Sequence, residues 1–197
     1  NYGLGEETGI DLPGEVPGLI KNLDSPRDIE HATASFGQGI AMTPIATTRA
    51  LASLSNGGVL VTPHVVKEIR YSVGIRSPAA TEEGRRVLKK ETSEEITRML
   101  IEVVDKALLG GKIKMERYSI AAKTGTAQVS KGSGGGYYDD RYLHSFFGYF
   151  PAYKPQFIIF LYLYYPKEVR FASETLTMPF SNLAKFLINY YQIPPDR

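Results

Sequence analysis

A chain of 197 residues is long enough for one globular domain with a sizeable core. Its 43% hydrophobic and 22% charged residues match ordinary globular usage, which excludes a disordered chain, and a formal net charge of +2 gives no ground for a nucleic-acid or anionic-membrane partner. The sequence has no cysteine, so disulfides, thiolate metal sites and a cysteine nucleophile are all excluded.

Residues 1–42 are rich in glycine, proline and turn formers, as in "GLGEETGIDLPGEVPG" and "SFGQGIAMTP", and predict a loop-rich opening segment. Gly37 and Gly39 around Gln38 read first as backbone geometry. Thr43 followed by Pro44 predicts a helix start, with threonine as the cap and proline at the first helical position. The run Ile45 to Leu54 then stops at Asn56, Gly57 and Gly58, a left-handed ending. "VLVTPHVVKEIRY" follows as one or two strands interrupted at Pro63. Thr92 and Glu95 have capping-box spacing, and Ile96, Met99, Leu100, Val103, Val104 and Ala107 form one apolar stripe closed by Gly110 and Gly111. Residues 43–111 are therefore a helical part with short strands.

Residues 118–166 contain three strand-like runs: "SIAAKTGTAQV" (119–129), "HSFFGYFPA" (144–152) and "QFIIFLYLYY" (156–165). The short link "YKP" favours antiparallel pairing of the last two, and the third run, apolar on both faces, is expected to be a buried central strand. A Gly-rich loop joins the first two. Its "GSGGG" (132–136) lacks the ending of a phosphate loop, and Tyr137, Tyr138, Asp139 and Asp140 read as packing and a solvated turn. A last helix over 179–191 places Phe180, Leu183, Leu187 and Tyr190 or Tyr191 on one face. These elements predict a mixed α and β (α+β) architecture, an antiparallel sheet flanked by helices. The apolar run 157–165 is far short of the roughly 20 residues that a membrane helix needs. His31, His64 and His144 lack metal-ligand spacing and read as surface or internally satisfied histidines.

The chemistry concentrates in "AAKTGTAQ" (121–128). On a strand, Thr124 and Thr126 share one face while Lys123 and Gly125 share the other. Two hydroxyls at that spacing can grip a carboxylate, Gly125 removes a Cβ where a ligand would lie along the strand, and an unpaired N–H of Thr126 can face a developing oxyanion. Lys123 adds a cation that holds an anion or tunes a neighbouring hydroxyl. A strand with an ordinary lysine and threonine is the alternative reading.

The stretch resembles the K-[ST]-G signature of the penicillin-binding transpeptidases, specifically the class B type that cross-links peptidoglycan. The resemblance extends through "YGLGEETGIDLPGE" (2–15), "ASFGQGIAMTPIATTRAL" (34–51), "YSIAAKTGTAQ" (118–128) and "HSFFGYFPAYKPQFIIFLYLYYP" (144–166), in that family's order. It implies the fold shared with serine β-lactamases, and it implies no metal or organic cofactor. Lys123 would join the hydrogen-bond network around the nucleophile. Thr124 and Thr126 would hold the carboxylate of a β-lactam or of the D-Ala-D-Ala stem peptide, with Gly125 between them, and the Thr126 N–H would complete the oxyanion hole.

The family's other signatures, S-x-x-K with the acylated serine and S-x-N, are absent from the sequence. No serine has lysine three residues on, and Ser181 comes nearest with Lys185 at the fourth position. The chain is thus expected to be the C-terminal half of one transpeptidase domain, inactive alone and partnered by the upstream half. A non-catalytic module of the same fold, binding peptidoglycan or protein partners, is the alternative. The resemblance also implies a site outside the bacterial cytoplasmic membrane, tethered by an N-terminal anchor.

Overall fold

The computed structural model describes residues 2–79, 83–132 and 135–197. In chain order it forms α1 (Asp28–Ala34), α2 (Pro44–Ser55), β1 (Val59–Leu60), β2 (Glu68–Arg70), β3 (Arg76–Pro78), β4 (Arg85–Arg86) and α3 (Lys90–Glu102). Strands β5 (Ala121–Ser130), β6 (Tyr137–Phe150) and β7 (Phe157–Tyr164), then α4 (Ala172–Thr175) and α5 (Thr177–Tyr190), complete it. The mixed α and β class and the antiparallel order β5-β6-β7 are as expected.

The loop-rich opening segment is tied down by two carboxylates. Glu15 accepts from the amide and hydroxyl of Thr8 at 2.7 and 2.6 Å and from the Gly9 amide at 3.0 Å. Asp11 accepts from the amides of Val65 and Val66 at 2.7 and 2.8 Å, joining segments more than fifty positions apart. The Val65 and Val66 amides hold the Asp11 carboxyl below its ordinary pKa, and the Thr8 hydroxyl does the same for Glu15.

Helix α2 starts as the Thr43–Pro44 pair predicts, with the Thr43 hydroxyl accepting from the Ala46 amide at 3.2 Å. At its end Asn56 stays out of the left-handed region, while Gly57 and Gly58 have φ of 80° and 93°. A Cβ on Gly58 would lie 2.2 Å from the Leu88 carbonyl oxygen, so both its conformation and its crowding demand glycine.

Helix α3 departs from the sequence expectation. Its cap is Lys89, without a side-chain cap bond, and Thr92 lies inside the helix, so Thr92 and Glu95 form no capping box. Glu95 instead pairs with Arg98. The buried positions are Ser93, Thr97, Leu100, Ile101 and Val104, whereas Met99 is half exposed. The reason lies in the end of α2, where the Leu54 carbonyl lacks a helical partner. Ser93 donates to it at 2.7 Å, and the Thr97 and Tyr149 hydroxyls, 2.7 Å from each other, approach it at 3.4 and 3.5 Å. Burial raises the pKa of the Tyr149 hydroxyl, which stays a neutral member of this group. Beyond α3 the helix widens into a π-helical turn over Val103–Ala107 before Gly110 and Gly111.

The sheet separates two cores. On one face Ala121 and Tyr149 pack with Leu100 and Ile101, joined by Leu54, Ile96, Phe147 and Ile158. On the other, Ala122, Phe146 and Phe150 meet Phe180, Ala184 and Ile188 of α5. The Phe146 and Phe180 rings stack at 4.6 Å. Phe180 comes so close because Gly148 has no side chain: a Cβ there would lie 2.4 Å from the Phe180 ring and 2.9 Å from Ala122 Cβ.

Two apolar stripes are placed differently from expectation. β7 is an edge strand among the described residues, with no buried residue and Tyr162 and Tyr164 more than half exposed; β6 is the central strand. α5 buries Thr177, Phe180, Ser181, Ala184 and Ile188, while Leu183 and Tyr190 are exposed, because small residues let the helix settle around Phe180. The "GSGGG" loop includes Ser133 and Gly134, which lie outside the described residues.

After α5 the chain folds back. Arg197 forms a paired contact with Asp105 at 2.6 and 2.9 Å and donates to the Met115 carbonyl, while Asp196 accepts from the amide and hydroxyl of Ser119.

Gly148→Ala should lower stability in urea denaturation by about 1–3 kcal/mol, the range for overpacking. That loss should shrink on a Phe180→Leu background; an equal loss would mean that Phe180 is not the obstacle.

The depressed carboxyls also set a pH dependence. Their folded pKa values lie below the unfolded ones, so the two clamps stabilise the fold above about pH 4 and are lost as pH falls through the folded values. Amide hydrogen-exchange protection at Thr8, Gly9, Val65 and Val66 should fall in acid before that of the β5–β6 pair. Simultaneous loss at both places would contradict this.

Candidate active site

The four residues singled out in sequence lie together on β5, opposite named partners on β6: Lys123 faces Phe147, Thr124 Phe146, Gly125 Ser145 and Thr126 His144. The other edge of β5 carries no strand among the described residues. Ser145 donates from its hydroxyl to the Gly125 carbonyl at 3.4 Å, which puts the polar backbone groups of Gly125 on the β6 side. Amide directions alternate along a strand, so those of Thr124 and Thr126 turn to the open edge. The Lys123 ammonium agrees with this, donating to the Thr124 carbonyl at 2.9 Å.

Lys123 is exposed, while Thr124 and Gly125 are partly covered. The Thr124 hydroxyl makes no hydrogen bond to the described residues. Thr126 is exposed, yet its hydroxyl accepts from the Ala172 amide at 3.0 Å. A threonine hydroxyl has one hydrogen and two lone pairs, so this bond leaves the hydrogen free for an outside acceptor. Edge and side chains thus offer an ammonium, two hydroxyls and outward amides within four residues, a set suited to an anionic ligand and to charge developing on oxygen.

Gly125 has an explanation within the protein as well: a Cβ there would lie 2.5 Å from Ser145 Oγ. The residues around Gly39 also reach this end of the sheet. A Cβ on Gly39 would lie 3.9 Å from the Tyr137 hydroxyl at the start of β6, and Gly37 and Gly39 have φ of 83° and 74°, in keeping with a backbone role. Tyr138 lies under Arg141, whose guanidinium is 4.0 Å from the ring centroid. Asp139 and Asp140 are in β6 and not in a turn, and both are exposed.

One residue was not selected from sequence as part of this neighbourhood. His144, beside Thr126 in register, is wholly buried. Its Nε2 lies 3.0 Å from the Arg170 carbonyl and its Nδ1 2.8 Å from Thr175 Oγ1. The signal was present in "HSFFGYF": period-two alternation puts His144 on the face of Phe146, where a polar ring needs partners. Among the described residues, no group of three His, Asp or Glu is arranged to hold a metal, and no helix is long and apolar enough to cross a membrane.

Residues 1–182 match a family profile described as the penicillin-binding protein transpeptidase domain. Among curated proteins, the chain is 36% identical over 172 residues to stage V sporulation protein D of Bacillus subtilis, covering 85% of this chain and 26% of that protein. It is 31% identical over 205 residues to penicillin-binding protein PbpB of Mycolicibacterium smegmatis, covering 99% of this chain and 32% of that one. The chain therefore spans about a third or less of these relatives. Penicillin-binding protein 3 of Mycobacterium tuberculosis superposes with a TM-score of 0.87 at 29% identity, over 100% of this chain and 46% of that structure. The same protein complexed with ampicillin also gives 0.87 at 29% identity, over 99% of this chain and 45% of that one.

Gly125→Ala should force the Ser145 hydroxyl to turn away, a change of rotamer that costs up to about 1 kcal/mol in thermal unfolding. Adding Ser145→Ala should restore most of it. A double variant no better than Gly125→Ala would show that the crowding lies elsewhere.

Proposed function

The chain belongs to the penicillin-binding protein transpeptidase domain family, and from that premise we propose that it forms one wall of a D,D-transpeptidase site that cross-links peptidoglycan stem peptides by serine acyl transfer. The observation that carries this reading is the open edge of β5, where the Lys123 ammonium, the Thr124 and Thr126 hydroxyls and an outward Thr126 amide occupy four consecutive residues.

In this reading Thr124 and Thr126 hold the carboxylate of the D-Ala-D-Ala stem peptide, or of a β-lactam in its place. Gly125 leaves out the Cβ where the ligand lies along the strand between them. The carbonyl oxygen of the scissile bond gains negative charge as serine attacks, and the Thr126 N–H stabilises it. Lys123 brings positive charge to the nucleophile's hydrogen-bond network. The serine and its base belong to an S-x-x-K segment in the half of the domain that precedes these residues, and that half is the first partner required. Residues 1–197 are then the C-terminal portion of a single transpeptidase domain, working on the outer side of the bacterial cytoplasmic membrane. The mycobacterial structure with ampicillin supports β-lactams as ligands of this fold.

Labelling with a fluorescent penicillin tests the assignment. The domain containing both halves should label, and these 197 residues alone should not. Lys123→Ala should slow labelling about 100-fold and Thr126→Val about tenfold or more, as loss of charge-assisted bonds in a transition state does. Labelling of the isolated chain would place a nucleophile within it. A folded two-half domain that does not label would favour a non-catalytic binding module.

A further inference from the structure

The bond that leaves the Thr126 hydroxyl's hydrogen free comes from Ala172, the first residue of α4. Ala172 follows a loop over 165–171 that is exposed over most of its length and includes Tyr165 and Glu168 at φ of 53° and 63°. Such a loop does not fix an amide to within a hydrogen bond unaided. Ala172 is wholly buried and its carbonyl accepts from the Leu176 amide, and on the strand side the anchor is His144. Its ring reaches the Arg170 carbonyl two residues before Ala172 and the Thr175 hydroxyl three residues after it. A carbonyl only accepts, so Nε2 carries a hydrogen and donates to it, while Nδ1 meets the Thr175 hydroxyl, which also reaches the Ala172 carbonyl at 3.3 Å. Because His144 is also the register partner of Thr126, the same buried position supports the strand from beside and its loop from beneath.

We propose that His144 is a positioning residue for the transpeptidase reaction: by clamping the Arg170–Thr175 turn it aims the Ala172 amide at Thr126, so that the Thr126 hydroxyl presents its hydrogen to the ligand carboxylate. This rests on the carboxylate-holding reading of Thr126. His144 touches neither ligand nor nucleophile, and its effect passes through one bond, Ala172 N–H to Thr126 Oγ1.

Two substitutions separate the ring's two contacts. His144→Gln places an amide near Nε2 and can still donate to the Arg170 carbonyl. His144→Asn reaches only toward Thr175. In the domain containing both halves, penicillin binding and acylation rate would be measured separately, normalised to the fraction of protein that labels. His144→Asn should slow second-order acylation about tenfold, mainly by weakening the initial complex, since a Thr126 hydroxyl no longer oriented by the Ala172 amide bonds the charged carboxylate less well. His144→Gln should recover to within about threefold of the parent, the residue of one imperfect hydrogen bond.

The decisive measurement is a double-mutant cycle with Thr126→Val. If His144 acts through the Thr126 hydroxyl, His144→Asn should add no further loss once that hydroxyl is gone. Independent, multiplicative losses would overturn the proposal and leave Thr126 in its role, as would His144→Asn acylating at the parent's rate. Thr126→Val acylating normally would overturn the underlying reading of Thr126, and the proposal with it.

Discussion

The two cores of this chain depend on covering both faces of β6. Alternation sends Tyr149 to the α2–α3 side and Phe146, Gly148 and Phe150 to the α5 side, so one strand nucleates two cores. The two sides solve different problems. Beneath α5 the contact is purely one of shape, with the Phe180 ring where the Gly148 side chain would be. Beneath α3 it is one of hydrogen bonding, because the end of α2 buries a carbonyl that must find donors. Ser93 satisfies that demand from α3, and the paired Thr97 and Tyr149 hydroxyls close over the same carbonyl from the helix and from the sheet.

This arrangement explains how β5 can leave one edge open. An edge strand is held in place only by its single ladder and by what packs on its faces. Ala121 and Ala122 at the start of β5 are completely buried, one in each core, and anchor the strand just before Lys123. From Lys123 onward side chains become accessible while the backbone stays in register with β6. Rigid backbone and accessible chemistry meet within two residues, the condition for preorganised donors to act without reorganising.

The legible part of this architecture was the part governed by local chemistry. The Thr43–Pro44 start, the glycine stops, the three strand runs and the Lys123–Thr126 stretch all announce themselves through residue type and spacing. The illegible part depended on partners far along the chain. Ser93 and Thr97 look like solvent-facing polar residues until the Leu54 carbonyl is placed beside them. Met99 looks like core, but the turn of the helix that faces the sheet is occupied by Leu100 and Ile101. The run 156–165 is apolar enough for a central strand, yet the chain order makes β6 the middle of the meander. At the site, the four β5 residues were visible in sequence, whereas Ala172, Arg170 and Thr175 contribute backbone or loop contacts that carry no motif.

The segment that follows α5 folds back and ties distant parts of the second half of the molecule together. Arg197 meets Asp105 across 92 positions and Asp196 meets Ser119 across 77, so the π-helical turn, the lead into β5 and the far end of α5 are gathered at one point. Contacts between positions so far apart close long loops of chain, at an entropic cost that grows only slowly with their length. The junction therefore ties the chain beyond α5 to the π-helical turn and to the lead into β5. In a sequence with no cysteine, these side-chain contacts of Asp196 and Arg197 are what link the covering helix back to the segments that precede the meander.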